Sequence, residues 1–237
     1  MHECLFHIRN WSLRYLKIIL LLCIGFAVTV VLAQEEVTFT TPQGEVVRVN
    51  AATTELFDAP HVWETYAAPD GSGELAVDRG VYRAYSETEG FVWGRNDATH
   101  TDVVIEADAL LLNIFTENGY GIVCRADQAN EGDGYFFMVN ANGYYALFLG
   151  ADETLTPLVE WTPSDAIHAG IDSNHIQAIC YDDYLALYAN GELLIETTDP
   201  TYTSGYTGLA VAAGATPVEV AFDNVSIYPV PENRSAP

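Results

Sequence analysis

The chain has 237 residues, and its 33 acidic against 9 basic side chains give a formal net charge of −24 at pH 7. Such a surface repels phosphate backbones and anionic bilayers, which argues against nucleic-acid binding and against docking on anionic membranes. It suits a well-solvated protein, as in salty surroundings, or one that presents hard oxygen ligands to divalent cations.

The N-terminus carries Arg9, Arg14 and Lys17 ahead of an apolar run from Ile18 to Ala33. Val31 and Ala33 are the small residues a signal peptidase requires, so residues 1–33 read as a secretory signal peptide. The run is short for a membrane span. A retained N-terminal membrane anchor, favoured by the long leader with Trp11 and Tyr15, is the alternative and would be the chain's sole membrane contact. Cys23 follows Leu20-Leu21-Leu22, where a lipobox needs a small residue, so lipoprotein processing is not expected. Beyond Ala33 there is no lysine, and the basic residues are Arg48, Arg79, Arg83, Arg95, Arg125 and Arg234.

Residues 34–52 hold a possible strand, VTFTT, and a Pro42-Gln43-Gly44 turn, and read as a linker or loosely attached edge. From Thr53 strand and turn signals alternate: ELFD, HVWETY, GELAVD, GVYRAYS and GFVWGR. TDVVIEADALLLNIF follows, with Glu106 and Asp108 on one face of its alternating half. The continuous LLLNIF half predicts burial on both faces. GYGIVCRAD, GYFFMVNAN, YYALFLG and TLTPLVEW come next, and SDAIHAG has room for one turn of helix. His175 to Thr197 reads as three strands with turns at Asp182-Asp183 and Asn190-Gly191. Asn-Gly between apolar runs is a strong hairpin signal because both residues accept positive φ. TGLAVAAG and VEVAFDNVSIYPV close a domain spanning 53–230, and 231–237 form a polar tail. Many short strands with no long helical period predict an all-β antiparallel sandwich, with strand count favouring a jelly roll.

Two cysteines follow the leader. In GYGIVCRAD, Cys124 shares a face with Tyr120 and Ile122, with Arg125 on the other. In HIQAICY, Cys180 shares a face with Ile176 and Ala178. Both point inward, and an even count in an exported chain predicts a disulfide, the alternative being two buried thiols that never meet. The other histidines of this region, His61, His100 and His168, share with His175 a lack of zinc spacing and read as surface or edge residues.

The succession TDVVIEADALLL, GYGIVCRADQANEGDGYFFMVNANGYYALF, LVEWTPSDAI and VEVAFDNVSIYPV resembles secreted bacterial concanavalin A-like domains of the laminin-G kind. It is similar to 3-keto-disaccharide hydrolase-type domains and, more loosely, to glucanases. The resemblance implies a two-sheet jelly roll and either lectin-like, adhesive or hydrolytic function. A glucanase of this type carries Glu-x-Asp-x-(x)-Glu on one strand, with carboxyls about 5 Å apart. Glu106-Ala107-Asp108 begins that pattern, but Leu110 and Leu111 stand where its second glutamate belongs. The pair therefore reads as a solvated strand face.

Jelly-roll carbohydrate modules tie their terminal strands with a structural Ca²⁺, and Asp58, Asp223 and Asn224 occupy the matching positions. Six to eight oxygens are required, so carbonyls or water would have to complete the shell. For ligand binding the residues singled out are Tyr144, Tyr145 and Trp161, since adjacent strand residues face opposite ways and one of the tyrosines must point outward. The expected partner is a glycan or another cell-surface ligand. A non-catalytic binding module leads, ahead of a glycoside hydrolase and of a structural envelope protein.

Overall fold

A computed structural model describes residues 36–50, 53–58, 61–87, 89–127, 132–152 and 154–231. The signal or anchor segment and all but the first residue of the tail lie outside the described residues. Strands run Glu36–Thr40 (β1), Val46–Asn50 (β2), Thr53–Glu55 (β3), Tyr66–Ala67 (β4), Gly73–Asp78 (β5), Val81–Ser86 (β6), Gly90–His100 (β7) and Val103–Leu111 (β8). They continue as Gly119–Ala126 (β9), Gly134–Asn140 (β10), Tyr144–Ala151 (β11), Thr154–Pro163 (β12), Asn174–Tyr181 (β13), Tyr184–Ala189 (β14), Glu192–Thr198 (β15), Gly205–Ala213 (β16) and Val218–Pro229 (β17).

Every pairing is antiparallel. One sheet has the order β12-β11-β10-β9-β16-β7. The other runs β15-β14-β13-β8-β17-β6-β5-β4, with β3 also on β17. Alternation along each strand sends one set of side chains into a shared core between the sheets. Tyr82, Ile105, Ile122, Tyr135, Phe137, Leu187, Leu209 and Phe222 are among its buried members. The Cys124–Cys180 disulfide joins β9 of one sheet to β13 of the other, with Cα atoms 6.8 Å apart.

The meander at β13–β15 forms as read, with Asn190 and Gly191 at φ 52° and 83°. Asn190 also does more than turn the chain. Its side-chain amide donates to Ala166 O at 2.7 Å and to Asn174 Oδ1 at 2.9 Å, and its Oδ1 accepts the His175 N–H at 2.9 Å. Asn174, fully buried, also accepts the His168 N–H. These bonds hold 164–173 in turns, and the helical turn allowed for there is absent.

Two further expectations change, and residues 36–50 take a definite form. The LLLNIF stretch is not buried on both faces: Leu110, Leu112 and Ile114 are exposed and only Leu111 is inward, because alternation persists to the strand end and a loop follows. Of HVWETY only Tyr66 enters a strand, and Trp63 instead fills the core against Phe57 and Tyr82. Residues 36–50, read as linker or loose edge, form the β1–β2 hairpin. Its Phe39, Val47 and Val49 are buried on the outer face of the larger sheet, against Val104, Ile179, Tyr181, Tyr184 and Tyr228.

Candidate functional site

The outer face of the smaller sheet carries a row of aromatic rings. β9 and β16 place Gly121, Gly208 and Ala210 on this side, so large side chains from the flanking strands lean over them. Phe136 on β10 thereby meets Phe91 and Trp93 of β7, with ring centroids 5.4 and 6.2 Å away. Phe148 lies opposite Phe136 in register and meets Trp161 of β12 edge-on at 5.9 Å. The indole of Trp161 reaches over Gly119, where a Cβ would come within 3.2 Å of it.

The row is closed at Phe136, which is fully buried, and nearly so at Trp93 on the edge strand β7. Its other end is open. Trp161 is 38% and Tyr144 39% exposed, and both project on the outer side of adjacent strands. Tyr145 points the other way and packs against the core, as strand alternation requires once Tyr144 faces out. Of the three aromatic residues singled out from the sequence, the sheet brings two to one surface.

A second cluster lies on the outer face of the larger sheet. His175 is directly opposite Asp108 and Gln177 directly opposite Glu106 across β13 and β8. His175 Nδ1 is 2.8 Å from Asp108 Oδ1, and its Nε2 is 3.6 Å from Glu106 Oε2. Gln177 donates to Glu106 at 2.9 Å, and Tyr228 donates its hydroxyl to the other Glu106 oxygen. A bulge in β17 puts Asn224 at φ 51° and directs its amide to Asp108 Oδ2 at 2.8 Å.

Electrostatics follow from this geometry. The Glu106 carboxylate beside Nε2 outweighs burial, and with the hydrogen bond to Asp108 and the charge of both carboxylates it raises the His175 pKa to about 9. Burial pushes the Glu106 carboxyl up, but the neighbouring His175 ring and the hydrogen bonds from Tyr228 and Gln177 prevail and hold it below its ordinary value. At neutral pH the imidazolium is clamped between two carboxylates. A glycosidase needs one carboxyl kept protonated as an acid. Glu106 is instead held ionised, so its geometry suits a structural ion cluster. The partnership of His175 was missed in the sequence, where it read as an edge residue. The signal was available in the strand registers once β8 and β13 are paired.

This cluster gives a pH prediction. A folded-state pKa raised above the ordinary 6.5 contributes stability that is complete below that value and is lost as pH rises through about 9. The melting-temperature gap between wild type and His175→Gln is therefore expected to be flat near pH 6 and to close by pH 10. The wild-type imidazole should titrate near 9 by NMR. A gap that widens with rising pH would show that the imidazolium is not the stabilising form.

Asp58 lies against Gly80, Asp223 accepts the Asn224 N–H at 2.7 Å, and Asn224 turns its amide donor toward Asp108. Among the described residues no group of three or more His, Cys, Asp or Glu side chains converges as a metal site.

No protein-family model and no curated protein matches the chain. Solved structures do. Carbohydrate-binding module CBM66 from Bacillus subtilis aligns with a TM-score of 0.54 and 18% identity, over 71% of this chain and 96% of its own. LamAcat from Zobellia galactanivorans aligns at 0.52 and 12% identity, over 75% of this chain and 97% of its own. GH43 BlXynB from Bacillus licheniformis aligns at 0.55 and 11%, over 81% of this chain but 45% of its own. At such identities the likeness is one of fold. The chain is a concanavalin A-like antiparallel jelly-roll sandwich, as its resemblance implied.

Proposed function

We propose that this protein is a secreted or cell-surface module that binds neutral glycans without cleaving them. The carrying observation is the open pair Trp161 and Tyr144 on adjacent strands, with Phe148 propping the indole edge-on. Sugar rings present C–H faces that stack on such aromatic surfaces, and the strong negative charge of the chain disfavours anionic polysaccharides. CBM66, a fold neighbour, is a carbohydrate-binding module, which is in keeping with this reading. A hydrolytic role would need a proton-donating carboxyl beside a nucleophile, and the candidate pair Glu106 and Asp108 is bridged by His175 instead.

Affinity electrophoresis through a soluble β-1,3-glucan, a xylan and a galactomannan tests the proposal. Retardation by at least one of them is expected, and Trp161→Ala should weaken it by roughly tenfold, about 1.4 kcal/mol. Since Trp161 is more than a third exposed, its melting temperature should hardly move. Retardation equal in wild type and variant would remove Trp161 from the binding face.

A further inference from the structure

The aromatic row does not stop at Trp93. β7 ends the smaller sheet and β4 ends the larger one, and between these two edges lies a cavity of about 240 Å³. Leu75 and Val92 line it from the core side, Phe91 and Trp93 from the sheet face, and Tyr66 and Glu64 from the segment around β4. Tyr66 is half exposed, whereas Trp93 and Leu75 are almost fully buried, so one wall is wet and the others are dry.

The segment that brings Glu64 here is pinned at both ends of the residue. Its N–H donates to Arg95 O at 3.0 Å, and its carbonyl accepts the Tyr82 hydroxyl at 2.7 Å. The side chain faces Arg95, whose Nε is buried and has no hydrogen-bond partner among the described residues. The nearest acidic oxygen, Glu64 Oε2, is 3.7 Å away. The guanidinium is stacked on Tyr206 at 4.2 Å, which holds it in place.

We propose that this seam is a subsite for one neutral pyranose ring, at the opposite end of the aromatic row from Trp161. The inference rests on the glycan-binding reading and extends it. The cavity is smaller than the roughly 300–1,000 Å³ of sites that take drug-sized ligands, so it holds a single ring. Aromatic walls accept the C–H face of that ring, while Glu64, with Arg95 behind it, supplies a carboxylate for its hydroxyls. A carboxylate in the wall and a net charge of −24 turn away a uronic acid. Phe91 and Trp93 are shared by the seam and the row, so a chain lying over the face would end with a residue in the cavity.

The test uses the full chain and five probes: D-glucose, D-galactose, D-mannose, D-xylose and D-glucuronic acid, followed by saturation-transfer NMR and tryptophan fluorescence. At least one neutral sugar should bind and glucuronic acid should not. Tyr66→Ala and Glu64→Gln should each weaken that binding on the order of tenfold, with melting temperatures showing that both variants are folded. If wild type is retarded by a polysaccharide but no neutral monosaccharide binds, or if both variants bind it as wild type does, the seam subsite is overturned and the glycan-binding reading stands. If neither polysaccharide nor monosaccharide binds, both fall. Glucuronic acid binding as well as the neutral sugars would overturn the charge argument and with it the proposed ligand class.

Discussion

Arg125→Met is expected to destabilise the fold by about 3–5 kcal/mol, the cost of stripping one partner from a buried ion pair. Arg125 is the largest fully buried side chain, 2% exposed, at the end of β9 where its φ of 55° departs from strand geometry. Its guanidinium donates to Thr101 O at 3.0 Å, to Tyr202 O at 2.8 Å and to Asp102 Oδ1 at 3.3 Å. One side chain thus ties the turn before β8, the end of β9 and the loop before β16. Methionine keeps the apolar stem but leaves Asp102 and two carbonyls without that donor. The same Asp102 oxygen also accepts the Asp182 N–H at 2.7 Å, so Arg125→Met with Asp102→Leu should recover only part of the loss. Chemical denaturation of the three proteins decides the matter. A single-variant loss below about 1 kcal/mol would mean that the pair is no better than a surface one.

Removing the Cys124–Cys180 bridge should cost about 4 kcal/mol. The cystines are 56 positions apart, and closing a loop of that size lowers the entropy of the unfolded chain by this amount in the chain-entropy model. Against the roughly 5–15 kcal/mol that holds a typical domain together, this is a large share. Both sulfur-bearing residues are fully buried, so reductant should act on the native protein only through unfolding. Cys124→Ala/Cys180→Ala is therefore expected to unfold at much lower denaturant than wild type, and reduced wild type should match it. Because Cys124 adjoins Arg125, the two perturbations share neighbours, and combining them should cost less or more than their sum. A double variant as stable as wild type would show that the crosslink constrains nothing in the unfolded chain.

The parts of the fold legible in the sequence were those written in short-range pattern. Asn190-Gly191 could be read as a turn because few residue pairs accept two positive φ values, and alternation placed Cys124 and Cys180 inward on separate strands. The same parity required one of Tyr144 and Tyr145 to face outward without saying which, and Trp161 was a candidate only as an aromatic residue beside a strand end. The sheet turns Tyr144 and Trp161 out and Tyr145 in. What could not be read depends on register between distant strands. His175 meets Asp108 across 67 positions and Tyr228 meets Glu106 across 122, and neither spacing leaves a local trace. Arg125 was misleading for the opposite reason. Parity put it on the outer face, but its positive φ swings the strand end inward and buries it. The seam cavity was equally hidden, since Tyr66 and Trp93 become neighbours only once β4 and β7 close their respective sheets.

The β1–β2 hairpin has a further consequence. Among the described residues its backbone hydrogen bonds run within itself, and it is held to the larger sheet by Phe39, Val47 and Val49, by the half-buried Val37 and by the Tyr181 hydroxyl on Glu45. An element fastened by side chains alone can separate without disturbing the strand ladders beneath it, so it is a cooperative unit of its own. Its amides should exchange with solvent well before those of β8 and β13, at a rate set by re-wetting its few apolar side chains and not by global unfolding.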